Sequence, residues 1–595
     1  MSAPTTPVEL PADLPPERGA AMFGSDAVVD LLAALDVPYL PLNPGSSFRG
    51  LHDSVVNHGG NCDPRLLLCL HEEVAVSLAH GWSKATGRLG VAAVHDLVGL
   101  MHASMAVYDA FCDRTPLLVL GGSGPADPAQ RRPIDWTHSA TTQAQLVRDY
   151  CVWDAEPMTA QASVDDVARA VQRAMSAPRG PAYVSLDAGV QEEALTTPVR
   201  PPDLARLAAA PPLAPDPASL AAAADLLAGA RRPVVVGGRV GLLPGATALV
   251  AAVVELLGAD YRDDRNQVVL PTLHPQNATG DATLLTEADV VLAVDVADLA
   301  ALLRPAARRP RAAAATDAPQ QGPLVVDLST GDLGMPSWTN AFGTPYGRDV
   351  QLLSDPLLGL RLLPEQLVGR VDPAAAALRR LEVEERVRSL RRHQRQAVAD
   401  RWDDDPISPV RLVAETWAAV RGTDHLLCLR NTRTWPDGVW DLPGAGSYLG
   451  HSGGGGVGYG PGALVGGALA ARDRGQLGVG IIGDGDLLMA SSALWTAAHY
   501  GIPALVVVND NSSFYNDEPH QAEIALHRGR PQQNSWIGMR IADPAVDLAA
   551  LARSYGCWAE GPVSDPSDLP DALKAALSAA LGGAVAVVHV RTSPR

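Results

Sequence analysis

Aromatic residues are scarce, at 5% of 595 positions with five phenylalanines among them, so Ala, Leu and Val must fill the cores. Cysteine is equally thin. The six cysteines (Cys62, Cys69, Cys112, Cys151, Cys428, Cys557) show no CxxC or similar spacing, which excludes a disulfide framework or zinc site legible from sequence and points to a reducing cytoplasm. Positive charge is in deficit, with 47 Lys and Arg against 66 Asp and Glu. A net charge of −19 repels phosphate backbones and disfavours nucleic-acid binding. No run of about 18 apolar residues occurs, so a soluble protein without a membrane span is expected. The first 18 residues are Pro-rich and acidic, lack the basic start of a signal peptide, and are expected to form a loose arm. No GxGxxG follows a strand with an acid about 20 residues on, and GGRVG (237–241) is no substitute, which argues against a nicotinamide-dependent dehydrogenase.

What is present is alternation. Short β-branched runs such as PLLVLGG (116–122), AYVSLD (182–187), PVVVGG (233–238), DVVLAVD (289–295), LVVDLS (324–329), VGIIGDG (479–485), ALVVVND (504–510) and AVAVVHV (584–590) are separated by Ala/Leu-rich helical stretches. Such βαβ patterning predicts α/β architecture with doubly wound parallel sheets. At roughly 100–200 residues per domain, the length fits three such domains. The boundaries expected are a flexible arm (1–18), a first domain (19–195), a Pro/Ala-rich linker (196–214), a middle domain (215–363) with an irregular exposed stretch at 304–322, a charged connecting helix (364–401) and a last domain (402–595).

The most informative segment runs from 479 to 514: a buried strand, a Gly-Asp-Gly turn, a helix, and a second strand ending in Asn-Asp-Asn. Parallel strands joined by one right-handed crossover present their C-terminal ends on the same edge, so Asp484 and Asn511 are predicted to meet. A carboxylate and an amide carbonyl are hard oxygen ligands that suit Mg²⁺ and leave positions free for phosphate oxygens. Gly483 and Gly485 would let backbone amides approach a diphosphate. A helix beginning near Asp486 would aim its positive end at the anion.

Earlier in the chain, a predicted strand at 66–70 turns into a helix through His71-Glu72-Glu73. An acid at the end of an apolar strand is a usable proton partner near neutrality if burial raises its pKa.

Together these segments resemble the thiamine-diphosphate-dependent enzymes of the acetolactate synthase, 2-oxo acid decarboxylase and benzaldehyde lyase type. The carriers of the resemblance are GDG followed 27 positions after its Asp by Asn511, SGGGGVGYGPGALVGGALA (452–470), and the His-Glu pair with HGWSKATGR (80–88). Two positions depart from the family pattern, Asp510 where Asn is usual and Asp486 where Ser is common. The resemblance spans nearly the whole chain and implies thiamine diphosphate and Mg²⁺ as cofactors, with Asp484, Asn511 and the Ser513 main-chain oxygen as metal ligands. It implies diphosphate contacts from Gly483, Gly485, Asp486 and Asn511. It assigns the Gly455 carbonyl to the cofactor's amino group and Val457 to the wedge that bends the cofactor. Glu72, rather than Glu73, would hold N1′ of the aminopyrimidine so that the amino group can activate C2. DLVGLMHASMAVYDAFCDRTPLLVLGG (96–122) resembles the family's loop-helix-strand order and puts His95 and His102 near the site, to hold a substrate carboxylate or donate a proton.

Tyr515, Asn516, His520 and Trp536 are the candidate substrate residues in or after the metal loop. Some relatives carry FAD in the middle domain, and the sequence leaves flavin open. Because first and last domains of different subunits share a cofactor in this family, a homodimer or tetramer is implied. The reaction expected is cleavage or formation of a C–C bond on a 2-oxo acid or related ketone by a decarboxylase, lyase or carboligase. A cyclic 1,2-diketone hydrolase and a non-catalytic relative are the alternatives.

Overall fold

A computed structural model describes residues 9, 11, 19–264, 267–304, 306, 322–331, 347–430 and 434–594. Most of the expected N-terminal arm and of the stretch 304–322 lies outside the described residues.

Three all-parallel sheets follow one another along the chain. The first has the order β2-β1-β3-β4-β6-β5. Its strands are β1 (Tyr39–Leu42), β2 (Arg65–Leu68), β3 (Gly90–Val94), β4 (Leu117–Ser123), β5 (Trp153–Ala155) and β6 (Pro181–Asp187). The central strands are apolar end to end because both faces are covered. Leu40, Leu118, Leu120 and Val184 face a core with Val28, Leu32 and Val167. Ala92, Val94, Val119 and Tyr183 face the other way, onto Val76, Leu100 and Val107. The last of these layers contains helices α1 (Glu72–Thr86) and α2 (Asp96–Cys112). Strand β2 stops at Leu68, short of the predicted Leu70. The Pro/Ala-rich linker folds back, with Val199, Leu204 and Leu207 packed on the first core.

The middle sheet, ordered β11-β10-β9-β7-β8, comprises β7 (Pro233–Gly237), β8 (Asp260–Asp263), β9 (Val290–Val294), β10 (Leu324–Ser329) and β11 (Val350–Leu353). The charged connecting helix α3 (Pro373–Ala399) belongs to this unit. Its buried Val383 and Val387 join the cluster of Val234, Val291 and Leu303, and Arg386 pairs with Asp260. Its apolar stripe is therefore a structural one.

The last sheet has the order β12-β13-β14-β16-β15. It is built from β12 (His425–Arg430), β13 (Leu477–Gly483), β14 (Ala504–Asp510), β15 (Trp558–Val563) and β16 (Val585–Arg591), with helices α4 (Gly460–Arg472) and α5 (Asp484–Met489). Without its edge strand β2, the first sheet has the same winding as the last. Helix α1 leads into β3 as α4 leads into β13. Residues of the first and last sheets fall in one compact unit, and the middle sheet forms the other.

Candidate active site

The register of β13 on β14 pairs Gly483 with Asn509, so the turns that follow the two strands leave the sheet side by side. Asp484 starts α5 and is buried at 4% exposure. The helix thus begins two residues earlier than expected and has only six residues, which limits its dipole contribution. Burial pushes the Asp484 carboxyl well above the usual range, and the neighbouring Asp510 adds to this. Burial acts on Asp510 in the same sense, but His589, bonded at 2.7 Å, and the Ser512 amide outweigh it and hold Asp510 below its ordinary value. The Asn511 side-chain oxygen accepts from Ser513 N at 3.0 Å, across Ser512 at φ 55°. Two carboxylates and an amide oxygen crowded at one strand edge are a donor set that a hard divalent cation would relieve. The space at Gly483 is open, whereas Gly485 is covered by the Phe514 ring, 2.7 Å from where a Cβ would stand.

Asp486, 5% exposed, is bonded to the Gly-rich segment. Its Oδ1 accepts from the Gly458 amide at 2.6 Å. Upstream, Asp109 on α2 accepts from Ser452 Oγ (2.9 Å) and Gly454 N (2.7 Å), so the Gly-rich loop is tied at both ends. Burial, then Asp113, pushes Asp109 up to about 7. Between the ties, Val457 projects with 42% of its surface exposed, and Gly455 adopts φ +70°.

Helix α1 crosses α4 through small residues. A Cβ at Gly81 would stand 2.2 Å from the Ala463 carbonyl oxygen, and one at Gly466 would stand 2.0 Å from that of Leu78. Buried His80 Nδ1 and Tyr459 Oη bond across the same contact at 2.9 Å. A single chain therefore already packs the helix that Glu72 begins against the helix that follows the Gly-rich loop.

His71 caps α1, its Nδ1 accepting from Glu73 N at 3.1 Å. Glu72 is 8% exposed, and its Oε2 meets His102 Nδ1 at 3.0 Å. The His102 ring, with 58% of its side chain exposed, stacks on His71 at 4.8 Å. Glu73 faces the other domain: burial, then Asp486, raises its carboxyl to about 7. His95 follows β3 and sits over Gly45, bonded to Ser47 Oγ at 2.8 Å and to His138 Nδ1 at 3.2 Å. Burial, then His138, lowers its proton affinity. Tyr515, Asn516, His520 and Trp536 lie on the segment that follows the Asn511–Ser513 turn. Its helix, Asp517–His527, has no buried residue; His520 has Asp517 at 3.8 Å, and Arg540 lies 4.8 Å over the Trp536 ring. Sequence reasoning did not single out Ser47, Asp109 or His138, which adjoin no recognised motif, while His71 and Glu73 stood in the His-Glu motif without a role of their own.

Parallel sheets that offer an acid, an amide oxygen and a glycine-lined turn at one edge, opposite a helix begun by a carboxylate, define a protein class built to hold an anionic cofactor. The thiamine pyrophosphate enzyme models match in both places, the N-terminal TPP binding domain over residues 22–146 and the C-terminal one over 431–590. The chain belongs to this family and is a thiamine-diphosphate-dependent enzyme. It is 27% identical over 530 residues to benzoylformate decarboxylase of Pseudomonas aeruginosa, covering 87% of this chain and 90% of that one. Over 177 residues, 29% of this chain and 31% of the other, it is 33% identical to the acetolactate synthase large subunit IlvG of Mycobacterium tuberculosis. Its fold is shared with the thiamine diphosphate-dependent 4-hydroxybenzoylformate decarboxylase of Rhodococcus jostii RHA1, at TM-score 0.72 and 22% identity over 96% of this chain and 99% of that one.

Proposed function

We propose that the protein binds Mg²⁺ and thiamine diphosphate and acts as a decarboxylase or carboligase on a 2-oxo acid whose side chain is bulkier than a methyl group. Asp484, Asn511 and the Ser513 main-chain oxygen would hold the metal, and Gly483 would border the diphosphate. The Gly455 carbonyl and Val457 would position the rings. When bound, the cofactor supplies a nucleophilic carbon and an electron sink for the C–C bond. Glu72, seated at the start of α1 and bonded to His102, would hold the proton at N1′. His95 and His102 would orient the substrate carboxylate and handle its proton.

The observation that carries the choice of substrate is a cavity of about 530 Å³ beside β1 and β3, with Leu40, Leu42, Phe48, Leu51, Leu66 and Ala93 on its apolar wall, Arg49, His52 and Asp53 on its polar one, and Gly45 under His95 at its border. A phenyl or branched side chain would bury more apolar surface there than the methyl of pyruvate. The near full-length similarity to benzoylformate decarboxylase supports the same preference.

A homo-oligomer, dimer or tetramer, is part of this reading. Exposed Met101 (54%) and Trp136 (77%) on the first domain are surfaces a second copy would cover. FAD is left out, because buried Asp263, Asp264 and Asp295 at the strand ends of the middle sheet would oppose a dinucleotide diphosphate. The six cysteines form no disulfide with one another, in keeping with the cytoplasm, and no helix among the described residues is long and apolar enough to cross a membrane.

The test is turnover of benzoylformate, branched 2-oxo acids, pyruvate and cyclohexane-1,2-dione by protein reconstituted with both cofactors, with CO₂ and aldehyde measured. Benzoylformate or a branched acid is expected to be the best substrate, with Glu72→Gln losing at least about 10²-fold in kcat. Equal turnover by Glu72→Gln, or a preference for pyruvate, refutes the proposal.

A further inference from the structure

His95 is held on three sides. Gly45 leaves room for the ring, since a Cβ there would lie 2.1 Å from His95 Cγ. Ser47 Oγ meets Nδ1 at 2.8 Å, and His138 Nδ1 meets Nε2 at 3.2 Å with the two rings at 85°. Neither contact is a chance approach of loose loops. Ser47 is 1% exposed and follows β1. His138 ends the short helix Asp135–His138, whose buried Asp135 takes Arg132 at 2.7 Å, and the next residue, Ser139, accepts from Gly124 N at 2.9 Å. Behind Ser47 stands Asp96, 1% exposed and held at φ 43°.

An imidazole whose two nitrogens both have fixed partners has its tautomer decided for it. Asp96 Oδ2 stands 3.9 Å from His95 Nδ1 on the Ser47 side, and burial raises its carboxyl to about 6. If Ser47 Oγ accepts the His95 Nδ1–H, then His95 Nε2 is the acceptor and His138 Nδ1 the donor across the second contact.

We propose that His138 is a positioning residue of the active site, acting through His95 by fixing its ring and tautomer from the Nε2 side. The proposal rests on the reading that His95 serves the substrate. Two imidazoles in contact share one positive charge unfavourably, and burial followed by His138 already lowers the proton affinity of His95. Glu72 and Asp135 act in the opposite sense, Arg132 in the same sense as His138, and Asp96 stands 3.9 Å from Nδ1. Removing His138 therefore raises the proton affinity of His95 towards its ordinary value.

The experiment compares His138→Ala, His138→Gln and His95→Ala in the reconstituted enzyme with benzoylformate, reading kcat, KM and the acid limb of the pH profile, with melting temperature as the check on folding. For His138→Ala, kcat is expected to fall roughly tenfold or more with KM within about twofold, and the acid limb to move to higher pH. His138→Gln keeps an N–H donor for Nε2 but cannot titrate, so kcat should recover while the limb stays displaced. It also provides the pH reading should the alanine variant fail to fold. If His95→Ala abolishes turnover while both His138 variants keep the wild-type kcat and acid limb, the positioning role is overturned and the reading of His95 stands. If His95→Ala turns over normally, that reading falls, and the role of His138 with it.

Discussion

Substituting Gly466 by Ala tests whether the contact between α1 and α4 sets the distance across the site. In isolation the change favours the helix, because Gly costs about 0.5–1 kcal/mol relative to Ala in a helix interior. The structure reverses that sign. The new Cβ would lie 2.0 Å from the Leu78 carbonyl oxygen, against an ordinary contact of at least 3.4 Å, and the obstacle is backbone. The helices must separate by about 1.4 Å, the difference between those distances. Overpacking of this kind costs roughly 1–3 kcal/mol, which exceeds the propensity gain. Since Glu72 begins one helix and the Gly-rich loop leads into the other, the shift displaces both groups that the proposed function assigns to the cofactor. A displacement near 1 Å can cost about 10²-fold in rate. The expected result is a lowered melting temperature and a kcat reduced about 10²-fold, measured by thermal denaturation and steady-state decarboxylation. Gly422→Ala, with nothing within 4 Å of its Cβ, is the control and should change neither. Wild-type kcat and stability in Gly466→Ala would refute the claim that this crossing positions the site.

Three further outcomes follow from the same geometry. Asp484→Asn removes the buried carboxylate from the proposed metal set and should weaken Mg²⁺-dependent thiamine diphosphate binding at least about tenfold by calorimetry. Glu73 is raised to about 7, so the stability of its neutral form is fully present below the unfolded-state value near 4.5 and is lost as pH rises through 7. The melting temperature of Glu73→Gln, relative to wild type, should therefore rise between pH 5 and 8. Lys84 and Asp113 form a buried pair at 2.6 Å; Lys84→Met should destabilise by roughly 3–5 kcal/mol in denaturant titration, because it strips a buried carboxylate of its cation.

The α/β class and the adjacency of the strand ends before Asp484 and Asn511 were legible because both are local in sequence. A β-branched run buried on two faces needs only its own residues to be read, and GDG with Asn511 spans one crossover, which fixes their adjacency without further information. The glycine-rich segment was equally visible, but its restraint was not. Asp109 reaches it from 345 positions away in sequence, and nothing near Asp109 advertises that partner. The bond from the Gly458 amide to Asp486 joins positions 28 apart and was not legible either, since the loop's position decides it. His95 was visible as a strand-end residue, while Ser47 and His138 lie 48 and 43 positions away and meet it only once β1, β3 and the loop after β4 are assembled.

The shared winding of the first and last sheets gives the α1–α4 crossing an evolutionary meaning. Helices in equivalent places on two like domains meet through reciprocal glycines, which is the geometry a single ancestral domain would have had when pairing with its own copy. Engineering that grafts the last domain of one relative onto the first of another should therefore preserve both glycines before any residue that contacts ligand.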